Sequence, residues 1–276
     1  MSYQFVKMHG LGNDFVIMDT RDSGFKLGPK QIQKVSDRRY GVGCDQLIAL
    51  EKPNDRTAAV KMRIFNADGS EAQACGNATR CVAWLLNTTE AINNPTIETI
   101  PGLLQTEAVN DNSVTIKMVQ ASLDWQKIPL SAPLNAHGLS VTFKTLTAPI
   151  AVNMGNPHIV FIVEDASSID LDKLGESLNN HKLFPEGVNV ELVEIQDFNS
   201  IKVKVFERGA GITTACGSGA CASAVATSTA GLTSNNVQVN LAGGPLQITV
   251  DENLNVTMQG PIEMTFEGSI NEDILV

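Results

Sequence analysis

Two segments of this 276-residue chain, 141 residues apart, are near copies. Phe65 to Cys75 leads into Gly76-Asn77-Ala78-Thr79-Arg80-Cys81, and Phe206 to Cys216 leads into Gly217-Ser218-Gly219-Ala220-Cys221. A repeat of such long period constrains the fold more than any single motif, because both copies must build the same unit. The parallel order continues elsewhere. Gly12-Asn13-Asp14-Phe15-Val16-Ile17 is answered 143 residues later by Gly155-Asn156-Pro157-His158-Ile159-Val160. Each is followed by a predicted helix (Pro29 to Arg39; Leu171 to Asn180), a Gly-Val turn, a strand, and a strand running into the cysteine loop. Gly102-Leu103-Leu104-Gln105 is echoed by Gly244-Pro245-Leu246-Gln247, so duplication with a boundary near Ala121 accounts for the whole pattern.

Each half holds mostly short alternating strands, such as Val60-Lys61-Met62-Arg63-Ile64-Phe65 and Ile201-Lys202-Val203-Lys204-Val205-Phe206, and two helices. The second helix, residues 77–87 and 218–230, has almost no charge beyond Arg80. A helix apolar on most sides must be surrounded. Strands wrapped round it satisfy that need and predict an α+β fold of two pseudo-symmetric domains, each a mixed β-barrel wrapped around a central helix. Residues 1–120 carry Cys75 and residues 121–263 carry Cys216, each thiol at an exposed helix mouth.

The formal charge of -10 and the absence of a basic run longer than Arg38-Arg39 exclude a nucleic-acid surface. The opening Met1-Ser2-Tyr3-Gln4-Phe5-Val6-Lys7 lacks the basic and apolar regions of a secretory leader, and no apolar run is long enough for a membrane span. The expectation is a cytoplasmic protein whose five cysteines stay reduced, which directs them to packing, metal binding or reactivity.

Cys75 and Cys216 each precede a glycine at a helix start, where partial positive charge favours thiolate. Buried packing is the bland alternative for any cysteine, and it suits Cys81, Cys221 and Cys44 better. Zinc is the rival use for the pairs Cys75/Cys81 and Cys216/Cys221, but their spacing along helices is not that of a zinc knuckle, so no metal is expected. A hydrolase with Cys216 as nucleophile and His158 as base leaves Cys75 and the duplication unexplained. Asn13, Asn66, Asn156 and Asn189 recur at matched turns, where a lone Asn would ordinarily serve the turn itself. Arg208 offers a planar fork for a carboxylate, against the alternative of a surface ion pair with Glu207.

Together these segments resemble the diaminopimelate epimerase family, within the cofactor-independent amino-acid racemases. The matching residues are His9-Gly10-Leu11-Gly12-Asn13-Asp14-Phe15, Gly43-Cys44-Asp45-Gln46, Phe65-Asn66-Ala67-Asp68-Gly69-Ser70-Glu71-Ala72, Ala74-Cys75-Gly76-Asn77, Asn153-Met154-Gly155-Asn156-Pro157-His158, Gly187-Val188-Asn189, and Glu207-Arg208-Gly209-Ala210-Gly211 leading to Ala215-Cys216-Gly217-Ser218-Gly219-Ala220-Cys221-Ala222. The resemblance implies two similar halves with the ligand in a cleft between them, residues 264–276 packing back on the first half, and a homodimer with Phe266 at the contact. Departures are Ala78 for a usual glycine, Ile212 for a usual acid, and Phe206 for Tyr or Trp.

The implied activity is interconversion of LL- and meso-diaminopimelate without a cofactor, supplying lysine and cell-wall precursors. Cys75 and Cys216 would be the acid and base, exchanging roles with direction, and His158 and Glu207 would tune them. The carboxylate at the reacting carbon would be held by backbone N–H groups at Gly76, Asn77, Gly217 and Ser218. Asn13, Gln46, Asn66, Asn156, Asn189, Glu207 and Arg208 would read the far end of the substrate. Two alternatives stay open at this point: a proline or hydroxyproline racemase of the same fold, and a metal- or redox-responsive cysteine protein.

Overall fold

The computed structural model describes residues 2–24, 26–73, 75–140 and 146–272. Ala74, from the first cysteine motif, lies outside the described residues, as does the end of the C-terminal segment, residues 273–276. The chain forms two compact units, Met1–Ile116 with Gly260–Val276, and Lys117–Gln259.

The first unit opens with β1 (Ser2–Gly10) and β2 (Asn13–Asp19), followed by helix α1 (Pro29–Ser36), β3 (Gln46–Glu51), β4 (Val60–Asn66) and the short β5 (Glu71–Ala72). Helix α2 (Gly76–Glu90) then leads to β6 (Thr96–Thr99), β7 (Gly102–Val109) and β8 (Ser113–Lys117). β2 runs antiparallel to β1 and parallel to β3, with Phe15 opposite Gln46. β4 is antiparallel to β3 and parallel to β6, and hairpins continue through β7 to β8.

The second unit repeats this plan. β9 (Ile150–Asn153) and β10 (Pro157–Ile162) precede α3 (Leu171–Asn179), β11 (Asn189–Asp197), β12 (Ser200–Glu207) and the short β13 (Gly211–Thr213). Helix α4 (Gly217–Thr229) is followed by β14 (Asn236–Leu241), β15 (Gly244–Val250) and β16 (Val256–Pro261). The pairings recur in kind: β9 antiparallel to β10, β10 parallel to β11, β11 antiparallel to β12, and β12 parallel to β14. Gly12 and Gly155, at the matched turns, both adopt left-handed backbone (φ 81 and 89), which a side chain would strain. The chain ends in β17 (Glu263–Asn271), which returns to the first unit and pairs antiparallel with β1, Ser2 against Asn271.

Burial explains the helices. In α4 every residue from Gly219 to Thr227 is buried, and strands β9, β10, β11, β12, β14 and β15 all touch it. The buried hydroxyls of Ser223 and Thr227 bond back to Gly219 O and Ser223 O at 2.8 and 3.0 Å, so they carry no unmet donor into the core. α2 is touched by β1, β2 and β7, and it buries even Arg80, whose Nη2 donates to Asn77 Oδ1 at 2.7 Å. α1 stops at Ser36 rather than Arg39 because Asp37 turns extended and its carboxylate accepts the Arg39 and Tyr40 N–H groups, both at 2.7 Å.

α3 packs against β12 through Gly175, where an added Cβ would lie 2.4 Å from the Phe206 ring. Gly175→Ala is expected to lower stability by about 1–3 kcal/mol through overpacking beside the strand that carries Glu207. A urea unfolding midpoint equal to that of the parent chain would contradict this.

Candidate active site

Both central helices begin on a cysteine. Cys75 and Cys216 occupy the N-cap positions of α2 and α4, with extended backbone at each (φ -150, ψ 109; φ -121, ψ 109). The first N–H groups of any α-helix lack an internal acceptor, so those of Gly76 and Asn77, and of Gly217 and Ser218, are the donors each helix offers beside its thiol. At α4 the Gly219 N–H is already turned to Cys216 Sγ, 3.4 Å away.

In the first unit Asn13 Nδ2 approaches Cys75 Sγ at 3.8 Å. Gln46 Nε2 donates to Asn66 Oδ1 at 3.0 Å across β3 and β4, and Asn66 Nδ2 donates to Ser70 Oγ at 3.1 Å. The turns carrying Asn13 and Gln46 are locked together by Asp14. Its carboxylate takes Arg38 Nη2 and Lys7 Nζ, both at 2.6 Å, and the Asp45 N–H at 2.9 Å. Burial alone would raise the Asp14 pKa, but these bonds from Arg38, Lys7 and Asp45 hold it well below the usual carboxylate range.

In the second unit the polar residues form a continuous chain. Glu191 Oε1 lies 2.7 Å from His158 Nδ1, and His158 Nε2 lies 2.9 Å from Asn156 Oδ1. Asn156 Nδ2 reaches Ser218 Oγ at 3.5 Å, and Ser218 Oγ lies 3.5 Å from Cys216 Sγ. Asn189 Nδ2 donates to Pro157 O and its Oδ1 accepts the Arg208 N–H, each at 2.9 Å, tying Asn189 and Arg208 to the strand start between Asn156 and His158. Glu207 accepts a hydrogen bond from Thr213 Oγ1.

Several expectations change here. Cys216 does not sit at an exposed mouth: it is only 5% exposed, while Cys75 is half-buried. The helix terminus does not make Cys216 acidic either. Burial, then the negative charge of Glu207, push its thiol well above the ordinary 9.0, outweighing the bonds from Ser218 and the Gly219 N–H. Arg208 forms no ion pair with Glu207. Its Nη1 donates to Glu186 O at 2.6 Å on the exposed edge of the loop. Cys44, Cys81 and Cys221 are core, as their sequence settings predict, and burial raises the Cys81 thiol to about 12. Among the described residues no group of three or more His, Cys, Asp or Glu side chains converges as for a metal. Phe266 belongs elsewhere, on β17, where it meets Phe5 edge-on with ring centroids 6.0 Å apart.

The residue overlooked in the sequence is Glu191, wholly buried behind His158. Its signal in the sequence is an acid between the apolar residues Val190 and Leu192-Val193 of one strand. No described helix is long and apolar enough to cross a membrane.

The arrangement of a half-buried thiol and a buried, protonated one fixes their reactivity. At neutral pH iodoacetamide is expected to label Cys75 first, with Cys216 reacting only as pH rises past the ordinary thiol value of 9.0, because only then does its thiolate form. Peptide mass mapping that finds both labelled equally at neutral pH would overturn this.

Comparison with known proteins adds whole-length similarity. The family profile described as Diaminopimelate epimerase matches residues 5–123 and 150–265. The chain is 44% identical to a protein of Rhodospirillum centenum named diaminopimelate epimerase, over 100% of this chain and 94% of the relative. It is 44% identical to one of the same name from Sphingopyxis alaskensis, over 97% of each. A crystal structure of a hydroxyproline epimerase from Agrobacterium vitis shares the fold at 13% identity, with a TM-score of 0.69 over 98% of this chain and 91% of that one.

Proposed function

The chain belongs to the diaminopimelate epimerase family, and from that membership we propose that it interconverts LL- and meso-diaminopimelate with Cys75 and Cys216 as its two proton-transfer groups. The observation that carries the assignment of the thiols is that each of the two central helices is N-capped by one of them.

Inverting a carbon that bears hydrogen, amine and carboxylate requires a base on one face and an acid on the other. One thiolate removes the proton while the opposite thiol delivers another, and the reverse reaction exchanges the roles. Burial and Glu207 hold Cys216 as thiol, so in the resting enzyme Cys216 is assigned the proton-giving role and Cys75 the proton-taking one. Glu207 supports this assignment by its charge, and His158 by the hydrogen-bonded chain that leads to Ser218. Charge spreading into the substrate carboxylate is assigned to the N–H groups of Gly76, Asn77, Gly217 and Ser218, the unpaired donors of the two helix starts. These groups do in place what an electron-withdrawing cofactor does elsewhere, and the reading needs none. Asn13, Gln46, Asn66, Asn156, Asn189, Glu207 and Arg208 then distinguish diaminopimelate from an amino acid without a second carboxylate. The setting is the cytoplasm, in lysine and cell-wall precursor synthesis.

In heavy water the parent enzyme is expected to wash the Cα proton out of LL-diaminopimelate, followed by NMR. Cys75→Ala and Cys216→Ala should each lower epimerisation by about 10²–10⁴-fold, the range of a lost general acid or base. Absence of exchange by the parent enzyme would sink the substrate assignment, and full turnover by either variant would sink the pair of thiols.

A homodimer fits the same family reading, with Phe266, 46% exposed on β17, at the contact. Sedimentation should show a dimer for the parent and a shift to monomer for Phe266→Ser. A monomeric parent would remove the idea.

A further inference from the structure

The duplication supplies an internal control for one polar cluster. Phe15 faces Gln46 between β2 and β3, and His158 faces Asn189 between β10 and β11. Two residues further along, Ile48 in the first unit answers to Glu191 in the second, and three residues past each cysteine Ala78 answers to Gly219. In the first unit all three positions are apolar and wholly buried: Phe15, Ile48, Ala78. In the second they are His158, Glu191 and Gly219, with both ionisable side chains at 0% exposure. The apolar trio shows that strand and helix pack without polar groups here. Burying an ionisable pair is costly, so His158 and Glu191 are not retained for stability. Gly219 belongs to the same exchange, since a Cβ there would fall 2.9 Å from Glu191 Oε1. The glycine gives the carboxyl room beneath the first turn of α4.

Counting protons along the cluster fixes its state. An amide oxygen only accepts, so His158 Nε2, 2.9 Å from Asn156 Oδ1, must carry a hydrogen. The 2.7 Å contact between His158 Nδ1 and Glu191 Oε1 then holds one proton between ring and carboxyl, and the pair is neutral as a whole. The other titratable groups facing it are Glu207 on β12 and Cys216 on α4. Burial raises the Glu191 pKa, His158 opposes this and Glu207 adds to it, and the net direction is upward, which keeps that proton in place.

Resting on the family reading above, we propose that Glu191 is a positioning residue for the epimerisation: by sharing one proton with His158 it fixes Nε2–H as a donor, and so sets the amide of Asn156 with Oδ1 toward the ring and Nδ2 toward Ser218. His158 then has no lone pair on Nε2, the nitrogen toward Asn156, with which to act as a base there. Its influence on the site passes through the orientation of Asn156, and the cluster governs how substrate is held more than how fast protons move.

The test has two arms. In the 15N-labelled parent enzyme without substrate, with His158 assigned by its loss in His158→Asn, the Nε2 signal is expected to be protonated at neutral pH. In Glu191→Leu the ring loses its partner, Nε2–H is no longer fixed, and KM for diaminopimelate rises about tenfold while kcat changes less than about threefold. Glu191→Gln, whose amide N–H donates to Nδ1, is expected to keep Nε2–H and the parent KM. An unprotonated Nε2 in the parent, a parent-like KM in Glu191→Leu, or a Glu191→Gln variant no better than Glu191→Leu would each overturn the proposal. Should Glu191→Leu fail to fold, the parent spectrum and Glu191→Gln still decide. The spectrum needs no substrate, so an inactive parent would count against the family reading and leave the proton count standing.

Discussion

A helix that is apolar all the way round is stable in water only inside a coat, and that requirement organises each unit. The coat must be strands, because α4 offers no polar stripe for solvent and touches six strands. A coated helix still has to start somewhere. Its first N–H groups emerge unpaired at one end of the coat, and the cysteine placed there inherits both their donors and their field. The core thereby fixes where the helix starts: the side chains that bury α4 also set the positions of Cys216 and of the Gly217 and Ser218 N–H groups.

The two helix starts are electrostatically different, although their backbones are alike. Cys75 has Asn13 beside it and a half-open setting, whereas Cys216 is buried with Glu207 near it. A helix terminus contributes on the order of 1 kcal/mol to a charge. Full burial of an unpaired thiolate costs more than that, so burial wins at Cys216. The exchange of Asn66 for Glu207 at the matching strand ends strengthens the difference. Two alike helix starts thereby hold their thiols in different settings, with Cys216 kept as thiol by burial and by the charge of Glu207.

Much of this is legible in the sequence, for identifiable reasons. Matched Gly-Asn turns, alternating strands and near-uncharged helices report on local backbone and burial, and the structure has the repeated element order they predict. The helix ends are legible to within three residues: α1 stops early where Asp37 captures the N–H groups that would have continued it, and α2 runs on to Glu90. The burial of Cys216 is not legible, because it depends on side chains from distant strands closing over the helix start. Arg208 is next to Glu207 in sequence, but its guanidinium meets the Glu186 carbonyl, a partner set by how the loop folds back. Glu191 is visible in the sequence only as an oddity. Its meaning requires knowing that β10 and β11 run parallel with His158 opposite Asn189.

The exchange of Phe15, Ile48 and Ala78 for His158, Glu191 and Gly219 also bears on how such a chain diverges after duplication. Placing an acid on the Ile48 side while alanine remains above it meets a methyl group, placing it without the imidazole leaves a carboxyl with nothing to bond, and placing the imidazole first strands a ring nitrogen in hydrocarbon. Each of these steps alone leaves a crowded or unbonded group in the core. Once assembled, the three residues are locked to one another, and the second half can drift in many places but has no one-step route back to the apolar arrangement of its twin.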